Sequence, residues 1–298
     1  MKLATWNVNS LKVRLDHLTG WLAQNPIDIV CLQETKLVDD KFPVDALRAV
    51  GYEAIYSGQP TYNGVAILYR QDLGLEPADV IVDNPLLPDH QKRLLSARFG
   101  GLRVICGYFP NGQTVGSEKY QYKLRWLAGL HDWMKQLEAT SPVAEQVLLG
   151  DFNIAPADED VHDPAVWQGQ VMASDPERAA YRELVALGLH DAFRLVEQPP
   201  RMFSWWDYRQ LGFRRNTGLR IDIILVSDSL RPRVRACWID KAPRRLEKPS
   251  DHAPVVVELA DVEVPTMMTE TADVAPRHAD TPPVQAAEVM PVPRQPAD

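Results

Sequence analysis

Cysteine is scarce in this sequence of 298 residues, which contains only three. Cys31, Cys106 and Cys237 each lie in a short apolar run, and none has a Cys or His at ligand spacing. An odd number of cysteines is a poor disulfide framework. We therefore expect buried free thiols, with a catalytic cysteine or a metal cluster as the alternative.

Long apolar runs are absent as well. No window approaches the roughly 18 consecutive apolar residues of a membrane-spanning helix, and the first residues lack the apolar core of a secretory signal. The sequence has no repeat of solenoid period and no Gly-rich phosphate loop of either common type. These absences predict a cytoplasmic protein without a membrane partner, and a monomer is our default expectation.

The composition is that of an ordinary globular protein, with 45% hydrophobic and 24% charged residues. It excludes a coiled coil, collagen and wholesale disorder. The formal net charge of −8 is uneven: residues 261–298 hold seven acidic residues and two arginines, which leaves 33 acidic and 30 basic residues in 1–260.

The last 38 residues differ from the rest of the chain in composition. They include seven prolines and no Trp, Tyr, Phe, Leu or Ile. Such a segment cannot bury enough apolar area to offset the entropy of ordering it. We predict one catalytic domain over residues 1–260 and a disordered, acidic, Pro-rich tail over 261–298, which is either a solvated appendage or a docking strip for a partner.

Apolar runs of strand length alternate with amphipathic stretches across residues 1–260. The predicted strands are 2–6, 27–32, 64–69, 94–99, 102–108, 146–149, 221–226 and 254–259, and the predicted helices are 11–24, 44–50, 119–137 and 176–187. Many strands with few helices favour an α/β fold in which sheets pack face to face with helices outside.

Polar side chains stand at the ends of these apolar strands. The set comprises Asn7, Glu34, Tyr108, Asp151, Asn153, Asp222, Asp251 and His252. Clustered carboxylates are costly to desolvate and repel one another, and a hard divalent cation would relieve both problems. Oxygen ligands without cysteine suit Mg²⁺, or Mn²⁺ as a substitute, and the natural substrate of such a site is a phosphate ester.

Each of these residues has a plainer interpretation when it is taken singly. Asn7 and Glu34 suit turns or helix caps, Asp251 could cap a turn, and Asp222 could pair with Arg220. Their joint occurrence at strand ends favours the metal-dependent site.

Several short motifs resemble the exonuclease III family when they are taken together. They are TWNVNS at 5–10, LQETK at 32–36, YFPNG at 108–112, GDFNIAP at 150–156, WWDYR at 205–209, RID at 220–222 and SDHAP at 250–254. The resemblance extends from Met1 to about Leu259. It implies a DNase-I-like four-layer α/β sandwich, with two packed mixed β-sheets flanked by helices, and a bacterial abasic-site endonuclease with 3′-exonuclease activity.

The resemblance also implies which residues bind the metal. Glu34 would be the principal ligand, with Asn7 and Asp251 near the same ion. Asp151 and Asn153 would complete the metal set. Asp151 is also the candidate to orient or deprotonate the attacking water, or to act as the acid for the leaving group. Whether one metal or two is bound stays open.

The remaining catalytic roles follow from the same resemblance. Asn153 would hold the phosphate through its amide, and Tyr108 would contact the phosphate or assist the leaving oxygen. His252 would contact a phosphate oxygen, while Asp222 accepts a hydrogen bond from its other ring nitrogen and fixes its tautomer.

Basic residues near two tryptophans point to a nucleic acid as the partner, despite the negative net charge, and the resemblance implies duplex DNA with abasic sites or 3′ ends. Arg209, Arg214, Arg215 and Arg220 lie in a segment without an acid, and a second basic stretch contains Lys241, Arg244, Arg245 and Lys248. Such patches bind phosphates by counterion release, although an ordinary solvated loop is the alternative.

By resemblance, the DNA contacts would come from Trp205, Arg209, Arg214, Leu219 and Ile221. Trp205, Leu219 and Ile221 would line an apolar pocket for a sugar without a base, which is cheaper to flip out of the helix than an intact nucleotide.

Two other functions stay open. One is a phosphoesterase of the same chemistry that acts on a non-DNA phosphodiester or RNA. The other is a catalytically silent DNA-binding module. The sequence does not apportion activity between abasic-site incision and 3′ trimming.

Overall fold

The structure, a computed structural model, describes residues 1–140 and 145–261. Within these residues the strands are β1 Lys2–Asn7, β2 Ile29–Gln33, β3 Tyr52–Ser57, β4 Val65–Arg70, β5 Pro77–Val82, β6 Leu94–Phe99, β7 Leu102–Tyr108, β8 Glu145–Asp151, β9 Leu189–Asp191, β10 Asp222–Ser227, β11 Val234–Ile239 and β12 Val255–Leu259. The helices are α1 Leu11–Gln24, α2 Val44–Arg48, α3 Glu118–Thr140, α4 Pro164–Trp167, α5 Asp175–Val185 and α6 Gly212–Arg215.

The strands form two six-stranded mixed sheets. The first has the order β11-β12-β1-β2-β4-β3, and the second has the order β5-β6-β7-β8-β10-β9. Each sheet contains one parallel pair at its centre, β1 with β2 and β7 with β8, and the other pairs are antiparallel. The two sheets therefore share one pattern of strand directions.

Three apolar layers hold the fold together. The layer between the sheets includes Leu3 and Cys31 from the first sheet and Val104 and Leu149 from the second. Helices α3 and α5 cover the outer face of the second sheet, and α1 and α2 cover the outer face of the first. The predicted four-layer α/β sandwich is confirmed.

The eight predicted strands are all present, and the four strands that the pattern missed are β3, β5, β9 and β11. These four are the outermost strands of the two sheets. Their side chains are partly exposed, whereas strands such as β2 and β4 are almost wholly buried. An edge strand needs no continuous apolar run because one side of it faces solvent.

The four predicted helices are also present with ends shifted by a few residues at most. All three cysteines are free and buried, which confirms the expectation for them. In the described part of the chain, no helix combines the length and the apolar character that crossing a bilayer would require. The predicted disordered tail lies outside the described residues except for Asp261.

Candidate active site

The strand ends bring the predicted polar residues to one rim of the two sheets. Asn7 is the last residue of β1, and Glu34 follows the end of the neighbouring parallel strand β2. In the second sheet Tyr108 ends β7 and Asp151 ends β8, where the two residues are register partners. Asp222 begins the antiparallel strand β10 opposite Asp151.

A buried amide joins the two sheets at this rim. The Asn7 Nδ2 atom donates to Glu34 Oε1 and to Asp151 Oδ2, each at 2.9 Å. The Tyr108 hydroxyl donates to the same Glu34 oxygen at 2.8 Å. Asn7 is fully buried and Asp151 is 1% exposed. These contacts fix the separation of two carboxylates that belong to different sheets.

The charge of Glu34 is compensated by a lysine from its own loop. Lys36 Nζ lies 2.8 Å from Glu34 Oε2. Burial alone would raise the pKa of Glu34, but the Lys36 ammonium and the hydrogen bond from Asn7 outweigh it, so the pKa lies below its ordinary value. Both Glu34 and Lys36 have positive φ, 53° and 54°. Such backbone strain is typical of functional loops.

Asp251 is linked to this group through a second asparagine. Asn9 Nδ2 donates to Asp251 Oδ1 at 2.9 Å, and Asn9 Oδ1 accepts from Lys36 Nζ at 2.7 Å. The other oxygen of Asp251 accepts from Trp205 Nε1 at 2.9 Å. Asp251, which the resemblance places near the metal, therefore also anchors Trp205, which the resemblance places in the pocket for the sugar.

His252 lies between two carboxylates. Its Nδ1 atom is 2.8 Å from Asp222 Oδ2, and its Nε2 atom is 3.7 Å from Asp151 Oδ2. Burial lowers the pKa of His252, but the charges of Asp222 and Asp151 outweigh burial and raise it well above its ordinary value. The plainer expectation that Asp222 pairs with Arg220 is wrong, because Asp222 faces His252.

Asp151 is an almost completely buried acid at the centre of the site. Burial, reinforced by the charges of Asp222 and Glu34, raises its pKa, although His252 and Asn7 act in the opposite direction. Asn153 also contacts it: the Asn153 N–H donates to Asp151 Oδ1 at 2.9 Å, and Nδ2 lies 3.2 Å from Oδ2. Asp151 therefore holds a position from which it can exchange a proton at neutral pH.

Residues of the rim suit a hard cation. Asp151, Asp222 and His252 offer ligand atoms within 4.8 Å of one another, and Asn7 brings Glu34 beside Asp151. The oxygen donors are the carboxylates of Glu34 and Asp151 and the amide of Asn7, and the charges of Glu34 and Asp222 raise the cost of ionising Asp151. The raised pKa of His252 favours a protonated imidazole, which does not bind a cation. The oxygen donors fit Mg²⁺ or Mn²⁺ better than a thiol-seeking metal.

Apolar side chains surround the residues predicted to form the sugar pocket. Leu219 and Ile221 are at most 1% exposed, in a cluster with Val161 and Met172, and the half-buried Trp205 packs against this cluster. A cleft of about 450 Å³ lies beside Trp205, lined by His162, Val166, Trp167, Trp205, Asp207, Arg209, Gln210, Arg215 and Thr217. Trp205 alone of the three predicted pocket residues lines this cleft.

The predicted basic surface needs two corrections. Arg220 is buried against Asp160 and Asp191, with Nε 2.6 Å from Asp160 and Nη2 2.7 Å from Asp191. Arg244 is only 6% exposed and lies over the rings of Trp206, Tyr208 and Phe213. Sequence charge does not distinguish an arginine that faces solvent from one that a fold buries beside acids or aromatic rings.

Of the other basic residues, Lys241 is half-buried with its ammonium over the ring of Trp206, and the rest are exposed. Arg209, Arg214, Arg215, Arg245 and Lys248 all face solvent. The guanidinium of Arg209 pairs with Asp207 at 2.6 Å, which partly neutralises that end of the patch. A second cleft of about 550 Å³ adds cationic and aromatic surface, with Tyr62, Arg93, Lys119 and Tyr122 among its lining residues.

Sequence reasoning did not single out Asn9, Lys36 or Asn111. Asn9 and Lys36 lie inside two of the motifs that carried the family resemblance, and Asn111 lies in a third. Asn111 Nδ2 donates to Asn153 Oδ1 at 3.0 Å. The motifs contained the signal for all three, but only the fold assigns them to partners far away in the chain.

The rim supports hydrolysis of a phosphate ester, because it joins a cation site to a carboxylate and histidine pair. The chain belongs to the endonuclease/exonuclease/phosphatase family, whose model matches residues 4–252. Exodeoxyribonuclease III from Haemophilus influenzae is 36% identical over 271 residues, which cover 87% of this chain and 99% of that protein. The resemblance to exonuclease III is confirmed.

Solved structures give the same result. The 3′ phosphatase NExo from Neisseria, bound to a product DNA hairpin, is 45% identical with a TM-score of 0.84, over 88% of this chain and 100% of that one. An AP endonuclease from Archaeoglobus fulgidus is 38% identical with a TM-score of 0.81, over 87% of this chain and 99% of that one. The solved structures and the sequence relatives therefore indicate the same fold and the same class of enzyme.

Proposed function

We propose that this protein is a Mg²⁺-dependent DNA repair nuclease. It hydrolyses the phosphodiester 5′ to abasic sites and removes 3′ nucleotides or 3′ blocking groups from duplex DNA. The observation that supports it best is the position of Asp151, whose Oδ2 atom accepts a hydrogen bond from Asn7 and lies 3.7 Å from His252 Nε2. With this function we propose a monomer that acts in the cytoplasm.

Proton transfer would begin at Asp151. Its pKa is raised by burial, so the carboxylate is basic enough to accept a proton from the attacking water. His252, whose own pKa is raised by Asp222 and Asp151, carries the positive charge and donates from Nε2 to a phosphate oxygen. Asp222 accepts from Nδ1 and holds the ring in this orientation.

A metal would be held by Glu34, Asn7 and Asp151, with Asp251 reached through Asn9. When bound, it neutralises charge on the phosphate and lowers the pKa of bound water. Tyr108 contributes a neutral phenol, because burial and the charges of Glu34 and Asp151 raise its pKa well above its ordinary value. The phenol is thus a hydrogen-bond donor at the rim.

The relatives support DNA as the substrate. Their names include exodeoxyribonuclease III, a 3′ phosphatase and an AP endonuclease. Exposed arginines beside Trp205 and its cleft suit a phosphate backbone and an extruded sugar. Indole contact with the sugar would use the side chain that Asp251 holds.

The test compares two duplexes, one carrying a single abasic-site analogue and one with an intact recessed 3′ end, each with magnesium and with a chelator. We expect incision and 3′ trimming that both vanish with the chelator, and their ratio measures the balance between the two activities. An Asp151→Asn variant is the control for contaminating nucleases. Turnover of RNA or another phosphodiester, with neither duplex cleaved, would favour the non-DNA phosphoesterase.

A further inference from the structure

A lysine ammonium is buried behind the active-site rim, and the proposed mechanism does not use it. Lys123, in the second turn of α3, is 0% exposed. Its Nζ atom donates to the backbone carbonyl of Asn153 at 2.7 Å, to the backbone carbonyl of Asn111 at 3.2 Å and to the carboxylate of Glu177. All three of its hydrogens therefore have acceptors.

Glu177 provides a fixed anchor for this ammonium. It is fully buried, and its oxygens accept from the backbone N–H of Met172 at 2.9 Å and of Ser174 at 3.1 Å. Glu177 stands in the first turn of α5, where Ser174 and Glu177 form a capping box. The position of Lys123 Nζ is thus set by two helices, α3 and α5.

The two carbonyls that Lys123 holds belong to residues that contact each other in the site. Asn111 Nδ2 donates to Asn153 Oδ1 at 3.0 Å, and Asn153 Nδ2 lies 3.2 Å from Asp151 Oδ2. Asn153 has a φ of 49°. Asparagine tolerates this left-handed region better than most residues, and the bond from Lys123 to its carbonyl is one of the contacts that fix it there.

We propose that Lys123 is a positioning residue for Asn153, which it orients by holding the Asn153 and Asn111 backbones on one cation. A buried ion pair gives little net stability compared with apolar residues of similar volume, so stability alone does not account for it. Two apolar residues in place of Lys123 and Glu177 could not donate hydrogen bonds to the backbone carbonyls of Asn111 and Asn153, whereas the Lys123 ammonium donates to both. This role rests on the proposed function, in which Asn153 binds the phosphate.

The test is a double-mutant cycle between Lys123 and Asn153. Lys123→Met should lower the single-turnover rate on abasic duplex by about 10- to 100-fold, as is typical for groups that orient a catalytic ligand, while KM changes little. In the Asn153→Ala background the same substitution should cost less than about 3-fold, because its effect passes through Asn153. Equal losses in the two backgrounds would overturn the proposal.

Three companion variants separate positioning from stability. Arg103→Met removes another buried cation, which is 1% exposed and donates to the Asp79 carbonyl at 2.9 Å, and should leave the rate unchanged. Lys123→Arg should recover part of the lost rate. If Lys123→Met fails to fold, Lys123→Met/Glu177→Gln removes the unpaired charge and is expected to show the same cycle.

Hydrogen exchange tests the proposal without catalysis. The amide of Asn153 donates to Asp151 Oδ1, and the amide of Gln113 donates to Asn111 Oδ1 at 3.0 Å. Both should exchange faster in Lys123→Met and at the wild-type rate in Arg103→Met. Unchanged exchange in Lys123→Met would overturn the proposal. A wild-type protein that cleaves no DNA would count against the proposed function only, and the exchange comparison would still decide the role of Lys123.

Discussion

The negative charge of Asp151 has opposite effects on the stability of the protein and on its proposed activity. It is 1% exposed and lies near two other acids, which makes its charge expensive, yet the proposed chemistry needs that charge. Active sites commonly retain such groups at a cost in stability. The conflict predicts that removing the charge separates stability from activity.

Asp151→Asn should lower the rate of DNA cleavage by about 10²- to 10⁴-fold, because it removes the base. The melting temperature should change little, because the amide avoids the cost of a buried charge and can still accept from Asn7, but leaves the Asn153 N–H without its acceptor. Calorimetry and single-turnover cleavage measure the two effects, and fluorescence anisotropy should show that DNA binding persists. A variant with near wild-type turnover would remove Asp151 from its assigned role.

Asp222→Asn tests the orientation of His252. The substitution replaces an acceptor with a group that can present a donor to Nδ1, so the ring loses its fixed orientation and the largest of the charge effects that raise its pKa. We expect turnover to fall by about 10²- to 10⁴-fold, with binding of DNA retained. The pKa of His252, followed by NMR, should fall towards its ordinary value. A pKa of His252 that does not fall below its wild-type value would contradict the assigned pairing.

At the scale of elements, the contact between β7 and β8 sets where Asp151 stands. Gly150 and Gly107 are register partners, and a Cβ added to Gly150 would lie 1.8 Å from the Gly107 carbonyl oxygen. The two facing glycines therefore allow β7 and β8 to approach each other closely, one residue before Tyr108 and Asp151. No side chain fits between the strands at this level.

Gly150→Ala should push β8 away from β7, with a loss of roughly 1–3 kcal/mol in the free energy of unfolding and a fall in activity, because Asp151 moves with the strand. Denaturant unfolding and cleavage assays measure both. Gly101→Ala is the matched control, since a Cβ there meets no atom within 4 Å and lies in the turn between β6 and β7. Wild-type activity in Gly150→Ala would show that the strand spacing does not control the site.

Helix α1 offers a change in the opposite direction. Gly20 lies in its third turn, and a Cβ there would meet nothing within 4 Å. Gly20→Ala should raise the free energy of unfolding by about 0.5–1 kcal/mol, because alanine restricts the unfolded chain and favours the helix. Thermal unfolding measures the gain, and activity should be unchanged. A loss of stability would mean that the helix needs the glycine for a reason that its surroundings do not show.

The elements also explain which parts of the structure could be predicted from sequence. The eight inner strands were recognisable because each is largely buried on both faces and therefore contains an apolar run. The edge strands β3, β5, β9 and β11 lack that signal. The helices α1 and α3 were recognisable from their spacing because one face of each is buried.

The acidic residues of the site could be predicted from the sequence, but the hydrogen bonds that hold them in place could not. Carboxylates at the ends of apolar strands are unusual enough to be noticed, so Glu34, Asp151 and Asp222 could be found. Lys123 sits in an amphipathic helix, where a lysine normally faces solvent. Its burial depends on Asn153 and Glu177, which lie 30 and 54 residues further along the chain.

For the molecule as a whole, cation binding and folding should be linked. At a magnesium concentration about a hundredfold above the dissociation constant, the free energy of unfolding should rise by about 2.7 kcal/mol. Differential scanning calorimetry with and without chelator measures the change, and Glu34→Gln should reduce it. A melting temperature that does not respond to magnesium would contradict a resident cation at the rim.

Charge distribution predicts a second effect of whole-molecule scale. Residues 261–298 carry a net charge of −5, from seven acids and two arginines, and could compete with DNA for the exposed arginines. A chain ending at Asp261 retains the bond from the Met1 ammonium to the Leu259 carbonyl. It should bind duplex DNA more tightly at low salt and with a steeper salt dependence. Equal affinity and equal slope would assign the tail no part in binding.

The rim draws its polar groups from both sheets, with Asn7 and Glu34 on one and Tyr108, Asp151 and Asp222 on the other. Hydrogen bonds from Asn7 to Asp151 and from Tyr108 to Glu34 join these groups. The geometry of the site, and with it the rate of the reaction, therefore depends on the distance between the two sheets. A substitution that adds or removes a methyl group in the apolar layer beneath these groups should change turnover by a larger factor than it changes the equilibrium constant of folding. Substitutions that persist in that layer over evolutionary time should therefore come in pairs that conserve its thickness.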